Sequence, residues 1–440
     1  MKLNYIYFLF SVLLLLASCG SGNEESVKVN PPHLVSANPA DGQTGVSEFT
    51  IRITLTFNEN VTLHTPHNIT LNGTGVSGVH PGIQHELVID LPALLAGTTY
   101  TLVIPSNVVK GPTGAAIANE IRITFTTRTP PKRQFSEQAQ KMMNYFADIY
   151  GKKTLSGTMA NVSWNTEEAD WVHTQTGKYP ALNGFDFIHH IYSPADWIDY
   201  GNTEVVENWW NNNGIVAISW HWCVPKDMVS NTDNFAFYTS ETTFDVSKIS
   251  DINSAEYKLM LKDIDIISGY LKALKSKNIP VLWRPLHEAS GTWFWWGAKG
   301  AEPCKALWKL MFERMTVHHG LDNLIWVWTS EGNDADWYPG DEYADIIGMD
   351  IYRQDDVHAS QIARFNQLKT NVSNKKMIAL SECGGIPQPA QMFEKGDTWL
   401  WFMPWYGEHT RDDKWNGAAY WKAVMNDARV ITRDQMPSLK

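Results

Sequence analysis

The chain has 440 residues, is 43% hydrophobic with 20 tryptophans, and carries a formal charge of −11. That length is ample for a large core and for more than one domain. The acidic balance argues against nucleic acid and anionic lipid as partners, and it fits a neutral polymer.

Residues 1–18 read as a lipoprotein signal peptide. Lys2 gives a positive end, residues 8–16 form an almost unbroken apolar run, and Leu16-Ala17-Ser18-Cys19 resembles a bacterial lipobox in which Cys19 is lipidated. The run is too short to span a bilayer comfortably. Residues 19–29 are polar and read as a flexible tether. The expectation is an exported lipoprotein of the outer membrane, at the cell surface or the periplasmic face, touching the membrane only through its anchor. Cys223, Cys304 and Cys383 are widely spaced and form no CxxC, so neither a disulfide framework nor a zinc site is expected.

Residues 30–128 contain no Trp and no Cys. Runs at 51–57, 100–104 and 121–125 alternate with period two, and turn-rich breaks separate them. This pattern predicts a small β-sandwich. Thr129-Pro130-Pro131-Lys132 opens a stiff linker over 129–133.

From 134 to 440 the pattern changes. A helix begins near Ser136-Glu137, with Ala139, Met142, Phe146 and Ile149 near a 3.6 period. Eight apolar runs follow, at 154–157, 180–186, 215–220, 280–286, 324–328, 346–350, 377–380 and 399–402. Several are separated by helical patterns, most clearly at 257–277 with Leu261, Ile264, Ile267, Leu271 and Leu274 on one face. This is the outline of a TIM (β/α)8 barrel, whose chemistry sits at the C-terminal strand ends.

Two runs end in a carboxylate. The fourth leads into His287-Glu288 and then Trp293, Phe294, Trp295, Trp296 and Gly297. A carboxyl group beside indole is poorly solvated, which raises its pKa and suits a general acid. Flat aromatic faces also suit sugar rings. The seventh run leads into Glu382 and then Gly384-Gly385. Glycoside hydrolysis needs two carboxyl groups flanking one bond, and these two would face each other across the barrel mouth. No metal or other cofactor is implied. His287-Glu288-Ala289-Ser290-Gly291 lacks the second histidine of a zinc-protease helix, and neither a phosphate-cradling loop nor a Gly-x-Ser-x-Gly elbow occurs.

Arg284-Pro285-Leu286-His287-Glu288, Gly348-Met349-Asp350-Ile351-Tyr352, Ser381-Glu382-Cys383-Gly384 and Ser219-Trp220-His221-Trp222, in that setting, resemble glycoside hydrolase family 26 over about 134–440. Most members of that family are retaining endo-β-1,4-mannanases. The resemblance implies Glu288 as acid/base, Glu382 as nucleophile, His287 hydrogen-bonding near the reacting sugar, and Trp293 under the cleaved-side sugar. Tyr352 is placed to steady the nucleophile by a hydrogen bond. His221 either binds substrate or braces the fourth strand, Trp405 either stacks on substrate or packs, and Asp350 and Asp186 either contact substrate or hold loops. The implied partner is β-mannan polysaccharide or manno-oligosaccharides, acted on by a monomer. Other members cut β-1,3-xylan or mixed-linkage β-glucan, and a non-catalytic glycan-capture lipoprotein would be expected to have lost one glutamate. Ser36-Ala37-Asn38-Pro39-Ala40-Asp41-Gly42, Phe57-Asn58-Glu59 and Phe125-Thr126-Thr127 resemble bacterial Ig-like domains, which implies a spacer or a weak binding module; the lack of an aromatic platform favours the spacer.

Overall fold

The computed structural model describes residues 30–440 except 48–49, 51, 77, 92–93, 95–96, 130–132, 162–163, 191–197, 229–234 and 252. The signal peptide at 1–18, Cys19, the tether at 19–29 and most of the linker at 129–133 therefore lie outside the described residues. The contacts separate into two compact units that part between Arg128 and Thr129.

The first unit is all β. One sheet joins Leu34–Asn38, Arg52–Phe57, Glu86–Asp90 and Val79–Pro81, and another is built around Ile121–Thr127 and Thr99–Ile104. In Arg52–Phe57 and Thr99–Ile104 every second residue is buried. That period places Ile53, Leu55, Phe57, Tyr100, Leu102 and Ile104 in one core with Leu87, Ile89, Ile123 and Phe125.

The second unit is a closed barrel of eight parallel strands: β1 (Thr154–Met159), β2 (Leu182–Asp186), β3 (Ile215–Trp220), β4 (Val281–Pro285), β5 (Leu324–Thr329), β6 (Ile346–Ile351), β7 (Met377–Cys383) and β8 (Trp401–Pro404). β1 pairs with both β8 and β2, which closes the ring. These are the eight strands the sequence predicts, with bounds that move by up to three residues. β8 lies two residues later than its apolar run, and β7 continues through Glu382 to Cys383.

The strands are apolar on both faces because helices cover the outside and side chains fill the inside. In β5 the outward Trp326 and Trp328 pack at 5.4 and 5.0 Å on Trp308 of the helix Ala301–Glu313. The inward Thr329 receives a hydrogen bond from Arg284 of β4. The helix Ala255–Ser276 starts at Ser254, whose side chain caps Tyr257 N–H. Its buried face carries Ile264, Ile267, Leu271 and Leu274, and also Asp263, whose carboxylate accepts the Trp222 indole N–H at 2.9 Å. Leu261 is only partly buried.

Candidate active site

The site is built on the C-terminal ends of β4, β6 and β7. Arg284 is a charged residue inside an apolar strand, its side chain only 4% exposed, and it is tolerated because carboxylates surround it. Its guanidinium donates to Asp350 at 3.0 Å, to Thr329 at 3.2 Å, and to Glu382. Burial works against this charge, but Asp350, Glu382 and Glu288 outweigh it and hold the guanidinium above its ordinary pKa.

Glu382 owes its aim to a β-bulge. Met349 opposes Leu380, but Asp350 opposes Glu382, so Ser381 is the extra residue. The bulge lets two successive side chains serve one site. Ser381 donates to Asp350 at 2.7 Å, and Glu382 meets Arg284 and accepts the Tyr352 hydroxyl at 2.7 Å. The neighbouring strand accommodates this with Gly348, where an added Cβ would lie 2.4 Å from Ser381 Oγ.

Glu288 sits beyond β4 on a strained turn. Leu286, Glu288 and Thr292 all have left-handed backbone, with φ of 49°, 51° and 63°. Such conformations cost on the order of 1–3 kcal/mol each and persist only where packing over-determines them. The packing is supplied by Trp295 and Trp296, both fully buried, whose indole N–H groups donate to the Trp222 and His287 carbonyls at 2.6 and 2.9 Å. These two tryptophans are therefore anchors, and the expected wall of indole reduces to Trp293, whose Nε1–H donates to Glu288 at 2.9 Å. Gly297 closes the turn: a Cβ there would lie 1.9 Å from the Ala289 carbonyl oxygen. Gly297→Ala is expected to push Ala289 and Glu288 aside and lower kcat/KM by roughly 10²-fold, as a ~1 Å misplacement does. Steady-state kinetics, with near-ultraviolet circular dichroism to confirm folding, checks it.

One carboxylate oxygen from each of Glu288, Asp350 and Glu382 lies within 4.8 Å of the others. Such a trio in isolation suits a divalent cation. Here the Arg284 guanidinium is already bonded to two of the three and supplies the positive charge. Burial pushes Glu288 up to about 9, with Asp350, Glu382 and Glu331 adding to the effect. Burial also pushes Glu382 up, to about 7, with Asp350 adding and Arg284, His221 and the Tyr352 hydroxyl opposing. The pair titrates as a unit, with Glu382 losing its proton before Glu288.

Behind the pair runs a buried chain. Asp186 accepts the His221 backbone N–H at 3.0 Å and meets its Nδ1, and His221 Nε2 lies 3.2 Å from His287 Nε2. Burial and the charges of Arg284 and His221 hold His287 well below the usual histidine pKa. Asp186 outweighs burial at His221 and raises it. His221 thus contacts His287, two residues beyond β4, and Asp186 orients His221. Trp405 lies 5.8 Å from the His221 ring, edge-on and partly exposed at the end of β8.

Arg284 stood in the sequence motif without a role, although a lone arginine in an apolar run was its signal. Tyr238 had no local signal. The loop after β3 pairs with the loop after β4 through a Tyr238–Phe294 bridge and the Thr239 N–H to Trp293 carbonyl bond of 2.7 Å. Among the described residues, Tyr238, Trp293 and Tyr352 are the exposed large aromatics of this unit, at 43%, 42% and 39%. All three ring the barrel mouth. Glu331, after β5, is raised to about 7 by burial and lines a cavity of about 690 Å³ with Asp350, Tyr352 and Arg364.

The family model described as Glycosyl hydrolase family 26 matches residues 132–435. The chain belongs to that family. The Bacterial Ig-like domain model matches residues 28–127. A mannan endo-1,4-beta-mannosidase of Thermothelomyces thermophilus is 39% identical over 332 residues, covering 71% of this chain and 66% of that protein. Among solved family 26 structures, the domain from an endo-beta-mannanase/endo-beta-glucanase of Prevotella bryantii has a TM-score of 0.61 at 36% identity, covering 69% of this chain and 97% of that one. A beta-mannanase from a symbiotic protist of the termite Reticulitermes speratus, solved with a gluco-manno-oligosaccharide, has a TM-score of 0.62 at 36% identity, covering 70% and 99%. The chain spans 49–66% of the length of the curated relatives that it matches at 36–39% identity.

Proposed function

We propose that the protein is a retaining endo-β-1,4-mannanase that hydrolyses internal linkages of plant mannans by double displacement. The observation that carries the mechanism is the 4.8 Å limit on the distance between the Glu288 and Glu382 oxygens. Retaining enzymes hold their two carboxyls about 5–5.5 Å apart, whereas inverting enzymes leave about 6.5–9.5 Å for a water. Support for mannan as the polymer comes from the names of the family 26 relatives.

In the first step the Glu382 carboxylate attacks the anomeric carbon and Glu288 gives its proton to the departing glycosidic oxygen. In the second, Glu288, now ionised, takes a proton from water, which displaces Glu382 from the sugar and restores both groups. Arg284 and Tyr352 favour the ionised form of Glu382 and so offset part of the cost of burial. Trp293 and Tyr238 offer ring faces to sugars at the mouth. Hydrolysis of galactomannan, glucomannan, β-1,3-xylan and mixed-linkage β-glucan, with products sized by chromatography, tests the reading. Short internal fragments from the mannans support it, and turnover of xylan or glucan alone overturns it.

The pH profile of kcat/KM is expected to be a bell. Activity is lost on the acid side as Glu382 gains a proton and on the alkaline side as Glu288 loses one. The Tyr352 hydroxyl bonds the charged form of Glu382 and so lowers its pKa. Tyr352→Phe removes that bond, and the acid limb is expected to move to higher pH while the alkaline limb stays. A pH–rate profile of the two proteins reads it directly.

The first 19 residues, with Lys2, the apolar run and Cys19, support an exported lipoprotein facing the cell surface or the periplasm. Incorporation of labelled fatty acid into wild type but not Cys19→Ala tests this.

A further inference from the structure

A second cavity, of about 660 Å³, lies on the outer flank of the barrel, away from Glu288 and Glu382. It falls within the roughly 300–1,000 Å³ usual for small-molecule sites. It runs between the helices Glu167–Thr176 and Glu204–Asn211, from Trp164 beyond the C-terminal end of β1 to Tyr179 and Arg433 near the N-terminal end of β2.

Its floor is a fixed stack of a guanidinium on aromatic rings. Arg433 stacks 3.7 Å from the Tyr179 ring centre and 4.5 Å from that of Trp209, and the His173 ring also stacks on Tyr179, at 4.0 Å. Trp164 is held by its Nε1–H bond to the Asn202 carbonyl at 2.8 Å and remains partly exposed. A planar guanidinium stacked on aromatic rings keeps its N–H donors in one fixed plane.

The walls carry the exposed side chains of Asn202, Asn208 and Asn212. Carboxamides both donate and accept, as hydroxyl groups require. Among the described lining residues, the rim adds Asp170, Asp199 and Glu204 against one cation, Arg433, and this balance disfavours an anionic ligand. A groove floored by the stacked Arg433 guanidinium and the partly exposed Trp164, with amide walls and a negative rim, fits an uncharged polyhydroxylated chain.

We propose that this groove is a second carbohydrate-binding site, which holds a stretch of neutral polysaccharide while the active site cuts elsewhere on the same polymer. The choice of mannan as that polymer rests on the function proposed above. Two sites on one chain raise avidity for long or insoluble substrate and leave short oligosaccharides unaffected.

The test uses the full-length protein. Asn208 is exposed, so Asn208→Trp fills the groove without disturbing the core, and Arg433→Ala removes the stacked cation. Affinity electrophoresis in galactomannan, glucomannan and a neutral cellulose ether, in a Glu382→Ala background, reads binding. Kinetics of the active forms on insoluble mannan and on a manno-hexasaccharide read function. The expected result for Asn208→Trp is at least threefold weaker retardation by a mannan and a similar fall on insoluble mannan, with hexasaccharide kcat/KM within twofold of wild type. Unchanged retardation, or equal losses on both substrates, overturns the proposal. Retardation by the cellulose ether that Asn208→Trp abolishes, in a protein that cuts no mannan, keeps the groove and removes the mannanase reading.

Discussion

Glu382→Ala is expected to lower kcat/KM on mannan by at least about 10³-fold, because the covalent route disappears with the carboxylate. The fold should survive the change. Arg284 keeps Asp350 and Thr329 as partners, so no buried charge is left alone. The loss is therefore chemical, and substrate affinity should change far less than kcat. The alanine also leaves room for a small anion. Added azide is expected to restore turnover and to give the glycosyl azide of inverted configuration, which thin-layer chromatography and NMR identify. Residual activity within tenfold of wild type would remove Glu382 from the nucleophile's place.

Glu288→Ala is expected to produce a different pattern. The polymer's leaving group is a sugar alkoxide that needs a proton, so hydrolysis of mannan should fall by about 10²–10⁴-fold. A mannoside with an acidic phenol as leaving group needs no such help, and its first step should proceed at close to the wild-type rate. The covalent intermediate then accumulates, because no base activates the water. Stopped-flow release of the phenol is expected to show a burst followed by a slow steady state. The alkaline limb of the pH profile should also vanish, since Glu288 is the group that titrates there. Equal losses on polymer and activated substrate would exclude Glu288 as the proton donor.

The barrel was legible because eight apolar runs and their helical spacers obey local periods. The positions of Glu288 and Glu382 were legible because a carboxylate closing a buried strand stands out against its neighbours. The aim of Glu382 was not, because it depends on a bulge opposite the Met349–Asp350 step, and pairing between strands leaves no trace in one strand's own pattern. The tryptophan cluster after Glu288 reads as one surface in sequence, yet the left-handed turns at Leu286, Glu288 and Thr292 send Trp295 and Trp296 into the core and leave only Trp293 beside the carboxylate. Tyr238 reaches the mouth only because two loops, more than fifty residues apart, pair there.

The most direct test of the account is the configuration of the first sugar released. Proton NMR of manno-oligosaccharide hydrolysis, followed from the first seconds before mutarotation, should show the β-anomer of the new reducing end appearing first. The α-anomer appearing first would mean that water, and not Glu382, attacks the anomeric carbon.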